Sequence, residues 1–525
     1  MKKLRTKDKI GLHPVMMLLV LSFATIVISG ILRLFNVQAT FNKISSVTGD
    51  FQVTTEAVNS LFSLSGLKYI FTSTVSNFAN YAVLTNLIII LLGIGIMVKS
   101  GFLKTIITLM TKKAKKTSVT FVLVLISILA SLIGDLSYII LVPLGALLFL
   151  YGKRNPMIGI ITTFASLTCG SALSLFLTSY DSSLINITLN NVNIINSGYN
   201  ISSWAFILAN VILIIALSFV ITNVTENYLV KKLPKYEFSE EEVEEELVLT
   251  RKQMRGLLFS LFAGLLYLLI FIYNIIPGLP FSGNLLDYSQ SLYIDKLFSY
   301  NSFFSNGFVF VVAVFFVILG LSYGIGAKTI KNNKEFVDAL GKTILVKSNN
   351  FKLLNGIGKI LVMIFAASAF INIFKQSNIG NVVAGALTNL MQNSNFGGLP
   401  LVLLLFIFAG VIALFQPTVL FSYNIVSGVI IKLMNAGISP EFTQLVFRLG
   451  SSVTLGLTPV FVYFVVYLAY LENYNQSNKP ITIKEAIKYQ LPYAAVTCVV
   501  YLLFIIIWYL VKFPIGVGAG VGLGV

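Results

Sequence analysis

Charge is scarce in this chain: 11% of its 525 residues are charged and 56% are hydrophobic. That balance excludes an ordinary soluble domain. Apolar runs of the roughly 18 residues or more that cross about 30 Å of hydrocarbon recur along its length. Histidine is nearly missing. The single copy, His13, lies beside an N-terminal basic cluster, so His-based acid–base catalysis and His-ligated metals are poorly supported. The two cysteines, Cys169 and Cys498, sit far apart in apolar runs, which argues against a disulfide framework and a zinc site. No Walker A sequence is present, so nothing points to ATP as the energy source. No cofactor is expected. Acidic residues are also few, 20 against 37 Lys and Arg, for a net charge of +17. In a membrane chain such an excess reads as cytoplasmic loops collecting cations, and not as a nucleic-acid surface.

The order of apolar runs gives an all-α polytopic membrane protein with its N-terminus inside. An uncleaved first span covers 15–35, after a basic start and with no small-residue cleavage site behind it. Residues 37–80 read as a polar outer segment. Further spans are expected at 83–110, 157–180, 204–229, 256–277, 306–326, 353–374, 441–470 and 489–511. Two apolar blocks, 119–151 and 399–435, are too short for two full crossings and too long for one. Basic residues flank the first on both sides. Both read as re-entrant hairpins, a backbone tolerated only inside protein or along a cavity. The total is nine spans and two hairpins. An acidic run, Glu240 to Glu246, reads as a solvated linker between halves 1–255 and 256–525. The segment 180–203 reads as an outer loop, and the Gly-rich end from Gly516 as unstructured.

Two stretches stand out. Gly170-Ser171-Ala172-Leu173-Ser174-Leu175-Phe176-Leu177-Thr178-Ser179 recurs as Gly450-Ser451-Ser452-Val453-Thr454-Leu455-Gly456-Leu457-Thr458-Pro459, with five of ten positions identical. Each is a hydroxyl-rich patch, poor at continuing a helix, inside an apolar run. Each follows a hairpin at a similar distance: 35 positions from Asp135 to Gly170 and 33 from Pro417 to Gly450. A hairpin followed by a broken helix, repeated with opposite orientation, is the pattern of secondary transporters.

The order and spacing of several further motifs resemble the AbgT family of p-aminobenzoyl-glutamate transporters over most of the chain. They include His13-Pro14, Asp135-Leu136-Ser137-Tyr138, Tyr180-Asp181-Ser182-Ser183-Leu184, Ser322-Tyr323-Gly324-Ile325-Gly326, Pro440 through Arg448-Leu449-Gly450, Thr458-Pro459 and Leu491-Pro492-Tyr493. The resemblance implies a homodimer of nine-span subunits with two hairpins each, set in a lipid bilayer. It also implies a small organic anion as substrate. The departures are local. Ser451 stands where the family usually has Asp, and Asn is missing at or near Ser174 and Leu455. Leu420-Phe421-Ser422-Tyr423 lacks the family's Lys-Trp pair.

The candidate substrate- or ion-binding residues follow from these patterns. Asp135, with Ser131 one turn before it, sits at the first hairpin's tip, where a charge costs about 2.5–3.5 kcal/mol by insertion scales. It is expected either to hold a proton or sodium ion or to cap the turn. Gly170, Ser171, Ser174, Thr178, Gly450, Ser451, Ser452 and Thr454 offer hydroxyl and carbonyl contacts, against the alternative of small-residue helix packing. Gln416, Pro417 and Ser422 mark the second hairpin's break, and Pro440 opens the helix after it. Arg448 needs an anion at any pH, supplied by a substrate carboxylate or by a protein acid, Asp181 or Glu441. A channel lacks an evident filter here, and a membrane enzyme lacks a nucleophile–base pair. A carrier driven by a proton or sodium gradient accounts for most of the sequence. Drug efflux and dicarboxylate transport are the readings nearest to it.

Overall fold

The structure, a computed structural model, describes residues 12–44, 51–238, 249–299, 301–340, 357–477 and 479–523. The acidic linker, much of the basic 328–352 loop and the N-terminal basic cluster lie wholly or largely outside these.

Nine helices among the described residues are long and apolar enough to cross a membrane. Seven coincide with expected spans. The other two, Lys116–Ile133 and Gly398–Phe415, are the first legs of the two hairpins. The spans expected at 157–180 and 441–470 are each split. Pro156–Cys169 is followed by a non-helical stretch and then by Ser179–Val192. Pro440–Leu455 is followed by another break and then by Phe464–Asn473. The count agrees with the sequence, but two of its members differ, because each broken span is made of two pieces that are individually short.

Both blocks assigned as hairpins consist of helical legs joined at a break, which is consistent with that reading. In the first, Lys116–Leu129, the 3₁₀ turn Ala130–Ile133 and Leu136–Tyr151 follow one another. The ends meet at Arg154. Its guanidinium donates to the Lys116 carbonyl at 3.3 Å, to Thr120 Oγ1 at 2.8 Å and to Glu226 Oε1 at 2.7 Å. Glu226 lies in a π-helical turn, Thr225–Leu229, that extends helix Ile207–Val224. In the second, Gly398–Phe415 breaks at Gln416 and Pro417, where proline lacks the N–H that a continuing helix needs. Val419–Val426 and Val429–Asn435 then lead back. Lys432 Nζ donates to the Met391 and Gln392 carbonyls at 2.7 and 3.2 Å, next to where the hairpin began. Hairpin followed by broken helix thus occurs twice in the same element order.

Three expectations are corrected. Residues 37–80 are no simple loop. Gln38–Ile44 and Phe51–Ala57 pair antiparallel, Gln38 opposite Ala57, and helix Leu64–Ala79 follows. The alternation of Thr, Val and Phe fits a strand. The ribbon's edge is occupied by a side chain: the Gln392 amide accepts from Asn42 N–H at 3.0 Å and donates to Asn42 C=O at 2.9 Å, as a neighbouring strand does. Residues 180–203, expected outside, are not simply a loop either, because Ser179–Val192 is a helix that buries Asp181, Leu184, Thr188 and Asn191. Nor is the Gly-rich end loose. Ile515 accepts from Ala209 N–H at 2.9 Å, Val517 N–H donates to Trp204 at 3.0 Å, and Val521 accepts from Ser439 N–H at 2.9 Å. Gly516 is required there, since a Cβ would stand 2.3 Å from the Ala205 and Trp204 carbonyls.

Single cysteines at Lys116 and Lys153, in a background without Cys169 and Cys498, are expected to react with a membrane-impermeant maleimide from the same side of intact cells. Labelling from opposite sides contradicts the hairpin.

Candidate functional site

The break after Pro156–Cys169 builds one side of the site. Helix 156–169 stops at Gly170, and the next helix starts at Ser179. In between, backbone groups have lost their helical partners and must be satisfied inside the protein. Thr178 and Asp181 do part of this through a capping box. Thr178 Oγ1 accepts from Asp181 N–H at 3.1 Å, and Asp181 Oδ2 accepts from Thr178 N–H at 3.1 Å. The same Oδ2 accepts from Thr178 Oγ1 at 2.7 Å and from Ser174 Oγ at 2.9 Å. Ser131 Oγ donates to the Leu173 carbonyl, which ties the first hairpin's tip to the break. Asn210 Nδ2 donates to the Ser174 carbonyl at 2.7 Å.

The other side is helix Pro440–Leu455. Ser439 caps it, accepting from Phe442 N–H at 3.1 Å, and Pro440 takes the first helical position, where its missing N–H costs nothing. Gly450 lets this helix lie against Gly398–Phe415, because a Cβ there would stand 2.3 Å from the Phe406 carbonyl. Arg448 projects across to the break. Its Nη1 forms an ion pair with Asp181 Oδ1, and its Nη2 donates to the Ser171 carbonyl at 3.3 Å. Both partners are buried, Arg448 at 7% exposure and Asp181 at 2%. Of the two protein acids named from sequence, Asp181 is the one Arg448 meets.

The structure therefore unites Ser131, Ser171, Ser174, Thr178, Asp181 and Arg448, with Gly170 at the start of the break. It does not bring the second motif's hydroxyls to the same place. Ser451 and Ser452 bond back to Phe447 and Leu449 of their own helix, at 2.9 and 2.8 Å. Thr454 donates to the Gly410 carbonyl at 2.6 Å. This motif stays helical to Leu455, so its break comes later than in the first copy. Ser422 bonds within its own turn, to Val419 at 3.1 Å, and Gln416 reaches Asn381 Oδ1 at 2.7 Å.

Asp135 precedes helix Leu136–Tyr151 and makes no side-chain capping bond, so it does not serve the turn as a cap. Its side chain is solvent-accessible although Tyr463, Tyr138 and Tyr180 all lie close enough to sense its charge. Tyr138 and Tyr463 stack beside it, with ring centroids 5.1 Å apart and planes 9° apart.

Sequence reasoning passed over three residues. Tyr180 lies near Asp135, near Arg448 and against the backbone at Val419 and Leu420, where the second hairpin restarts. It joins both hairpins to the ion pair. The Tyr180-Asp181 pair was visible as a motif, but nothing in it signals convergence. Asn210 comes from an apolar helix with no distinguishing pattern, and Tyr463 is one aromatic among many.

Removing one partner of a buried ion pair costs about 3–5 kcal/mol, since the other charge is left uncompensated. Arg448→Ala is expected to lower the apparent Tm in detergent markedly, without any ligand. In a cycle with Asp181→Ala the two losses should be strongly non-additive. Additive losses would show that the pair does not hold the two segments together.

Comparison with known proteins identifies the family. The family model of the AbgT transporter family matches residues 5–523. The p-aminobenzoyl-glutamate transport protein of Escherichia coli K12 is 25% identical over 510 residues, covering 96% of this chain and 94% of that protein. Two solved structures are similar in outline. The Alcanivorax borkumensis YdaH transporter shares 22% identity, over 96% of this chain and 100% of that one, with a TM-score of 0.47. Neisseria gonorrhoeae MtrF, described with a class of antimetabolite efflux pumps, shares 24% identity over 98% of each chain, with a TM-score of 0.48. With the family model matched almost from end to end, this multi-pass membrane protein belongs to the AbgT transporter family.

Proposed function

We propose that this protein is a secondary active transporter that moves a small organic anion, of the p-aminobenzoyl-glutamate, folate-fragment or antimetabolite kind, driven by a proton or sodium gradient. The observation that carries the proposal is the meeting of Arg448, Asp181 and Tyr180 between a broken helix and the restart of the second hairpin. A guanidinium has five N–H donors in a planar fork. Arg448 gives Nη1 to Asp181 and Nη2 to Ser171, and donors remain that suit a carboxylate. Neither the helix start at Leu136 nor the one at Val419 has a side-chain cap, and the positive end of a helix favours negative charge. A substrate carboxylate can therefore compete with Asp181 for Arg448. In this reading Asp135, at the tip of the first hairpin block, carries the coupling proton or sodium ion. Subunits pair as homodimers in a bacterial plasma membrane, with the N-terminus cytoplasmic, and the two halves of the chain form an inverted repeat.

The other reading of Arg448 is a purely structural pair with Asp181, and the observed ion pair favours it to the same degree. Lysine separates the two. In proteoliposomes, Arg448→Lys should bind p-aminobenzoyl-glutamate much more weakly while still moving an uncharged analogue. A lower Tm with unchanged carboxylate affinity would end the substrate role.

Coupling is tested separately. Asp135→Asn is expected to abolish gradient-driven uptake in a protein that keeps its wild-type elution profile and Tm. Full driven activity in that variant would remove Asp135 from the coupling site.

A further inference from the structure

The pairing of Arg448 with Asp181 leaves the other candidate acid, Glu441, unexplained. Glu441 is 2% exposed and has no cationic partner among the described residues. Both of its oxygens lie 3.0 Å from the Tyr199 hydroxyl, which has one proton to give. It sits in the first turn of helix Pro440–Leu455. A helix start stabilises a carboxylate by a fraction of a kcal/mol to about 2 kcal/mol, well short of the cost of burying an unpaired charge.

Glu441 also begins a polar row. Glu441, Gln444 and Arg448 are spaced at three and four residues, which places them on one helix face. Opposite them, helix Ser179–Val192 presents Asp181, Thr188 and Asn191. Thr188 Oγ1 lies 2.7 Å from Gln444 Oε1 and 2.8 Å from the Tyr423 hydroxyl. All six are nearly or fully buried, in a region where apolar side chains would pack more cheaply. Two atoms of the row have no partner: Gln444 Nε2, a donor, and Asn191 Oδ1, an acceptor. Turning the Gln444 amide over only exchanges which of its ends is left alone. Buried polar atoms in this state commonly hold ordered water.

We propose that Glu441 is a proton-exchanging carboxyl at the head of a buried, hydrated polar file that runs past Asn191, Gln444, Thr188 and Tyr423 toward the Arg448–Asp181 pair. The proposal deepens the coupled-transport reading and rests on it for its role in transport. One proton leaves the Glu441 carboxyl for file water and one returns; no other bond changes. The charged and titratable groups around it are few. Tyr199 comes from the connector after the 179–192 helix, and Tyr423 from the 419–426 helix. Asp181 and Arg448 lie at the far end, about 10 Å along the helix axis for seven residues. Lys432, on the 429–435 helix, is held by carbonyls at 391, 392 and 394. The 513–523 segment beside Ser439 has no titratable side chain.

The decisive measurement is infrared spectroscopy of the purified full-length protein in lipid across pH. A protonated-carboxyl C=O band that titrates should be present in wild type and in Asp135→Asn, and lost in Glu441→Gln. Tyr199→Phe should move its midpoint. Identical spectra for wild type and Glu441→Gln at every pH would overturn the proposal, leaving Glu441 as a fixed charge at a helix start. Should Glu441→Gln fail to fold, an unmoved midpoint in Tyr199→Phe overturns it equally. In proteoliposomes with p-aminobenzoyl-glutamate as probe, Glu441→Gln should keep substrate exchange and lose accumulation under an imposed proton gradient; wild-type behaviour in both assays also overturns it. If wild type does not move the probe, the substrate reading fails while the spectra still decide the role of Glu441.

Discussion

A guanidinium cannot shed its charge inside a membrane protein, so wherever Arg448 is placed an anion must follow. That constraint joins the two halves of this chain. Asp181 answers it from 267 positions away, and can do so only because the first broken span opens where it does. The carboxylate is shared: one oxygen faces Arg448, and the other gathers the Thr178 and Ser174 hydroxyls and a backbone N–H. The same group neutralises a charge and closes an interrupted backbone. Its two duties explain why a non-helical stretch can persist at this depth.

The hairpins are held by a related logic with different parts. Arg154 gathers both ends of the first hairpin and Glu226, with Phe149 under its guanidinium at 4.3 Å. Lys432 closes the second against the C-terminal carbonyls of helix Ile379–Asn393. Both bases are pinned by a cation, whereas the tips carry a carboxyl at Asp135 and a proline break at Pro417. The tips are tied by neutral groups instead, Ser131 to the Leu173 carbonyl and Gln416 to Asn381.

Much of this architecture was legible in the sequence because hydropathy and loop charge act over long stretches. The two interrupted apolar blocks announced themselves by length alone, and the Pro417 and Gly170 breaks by residue type. What escaped was decided by single partners. The 38–57 ribbon has a modest period-two pattern that the long helices around it overwhelm. Helix 179–192 is rich in Asn and Ser, which reads as loop until Asp181, Thr188 and Asn191 are seen to face another helix. The hydroxyls of Ser451 and Ser452 looked equivalent to those of Ser171 and Ser174. Only the three-dimensional register shows that the Ser171, Ser451 and Ser452 hydroxyls turn back to their own helices, while the Ser174 hydroxyl reaches Asp181 and the Ser171 carbonyl reaches Arg448. Tyr180 was visible only as part of a motif, because its importance is a matter of where three distant segments meet.

The contact between the 515–522 segment and Ser439 bears on the order of assembly. Ser439 caps the helix that carries Arg448, yet its hydroxyl is anchored by the Gly520 carbonyl, 81 positions later, and its N–H by Val521. On the ribosome, that helix emerges and enters the membrane well before its anchor exists. The same segment also binds Trp204 and Ala209, made much earlier. The start of the Arg448 helix therefore stays unsecured until residues 515–522 have been made, and a nascent chain stalled short of them would lack that anchor.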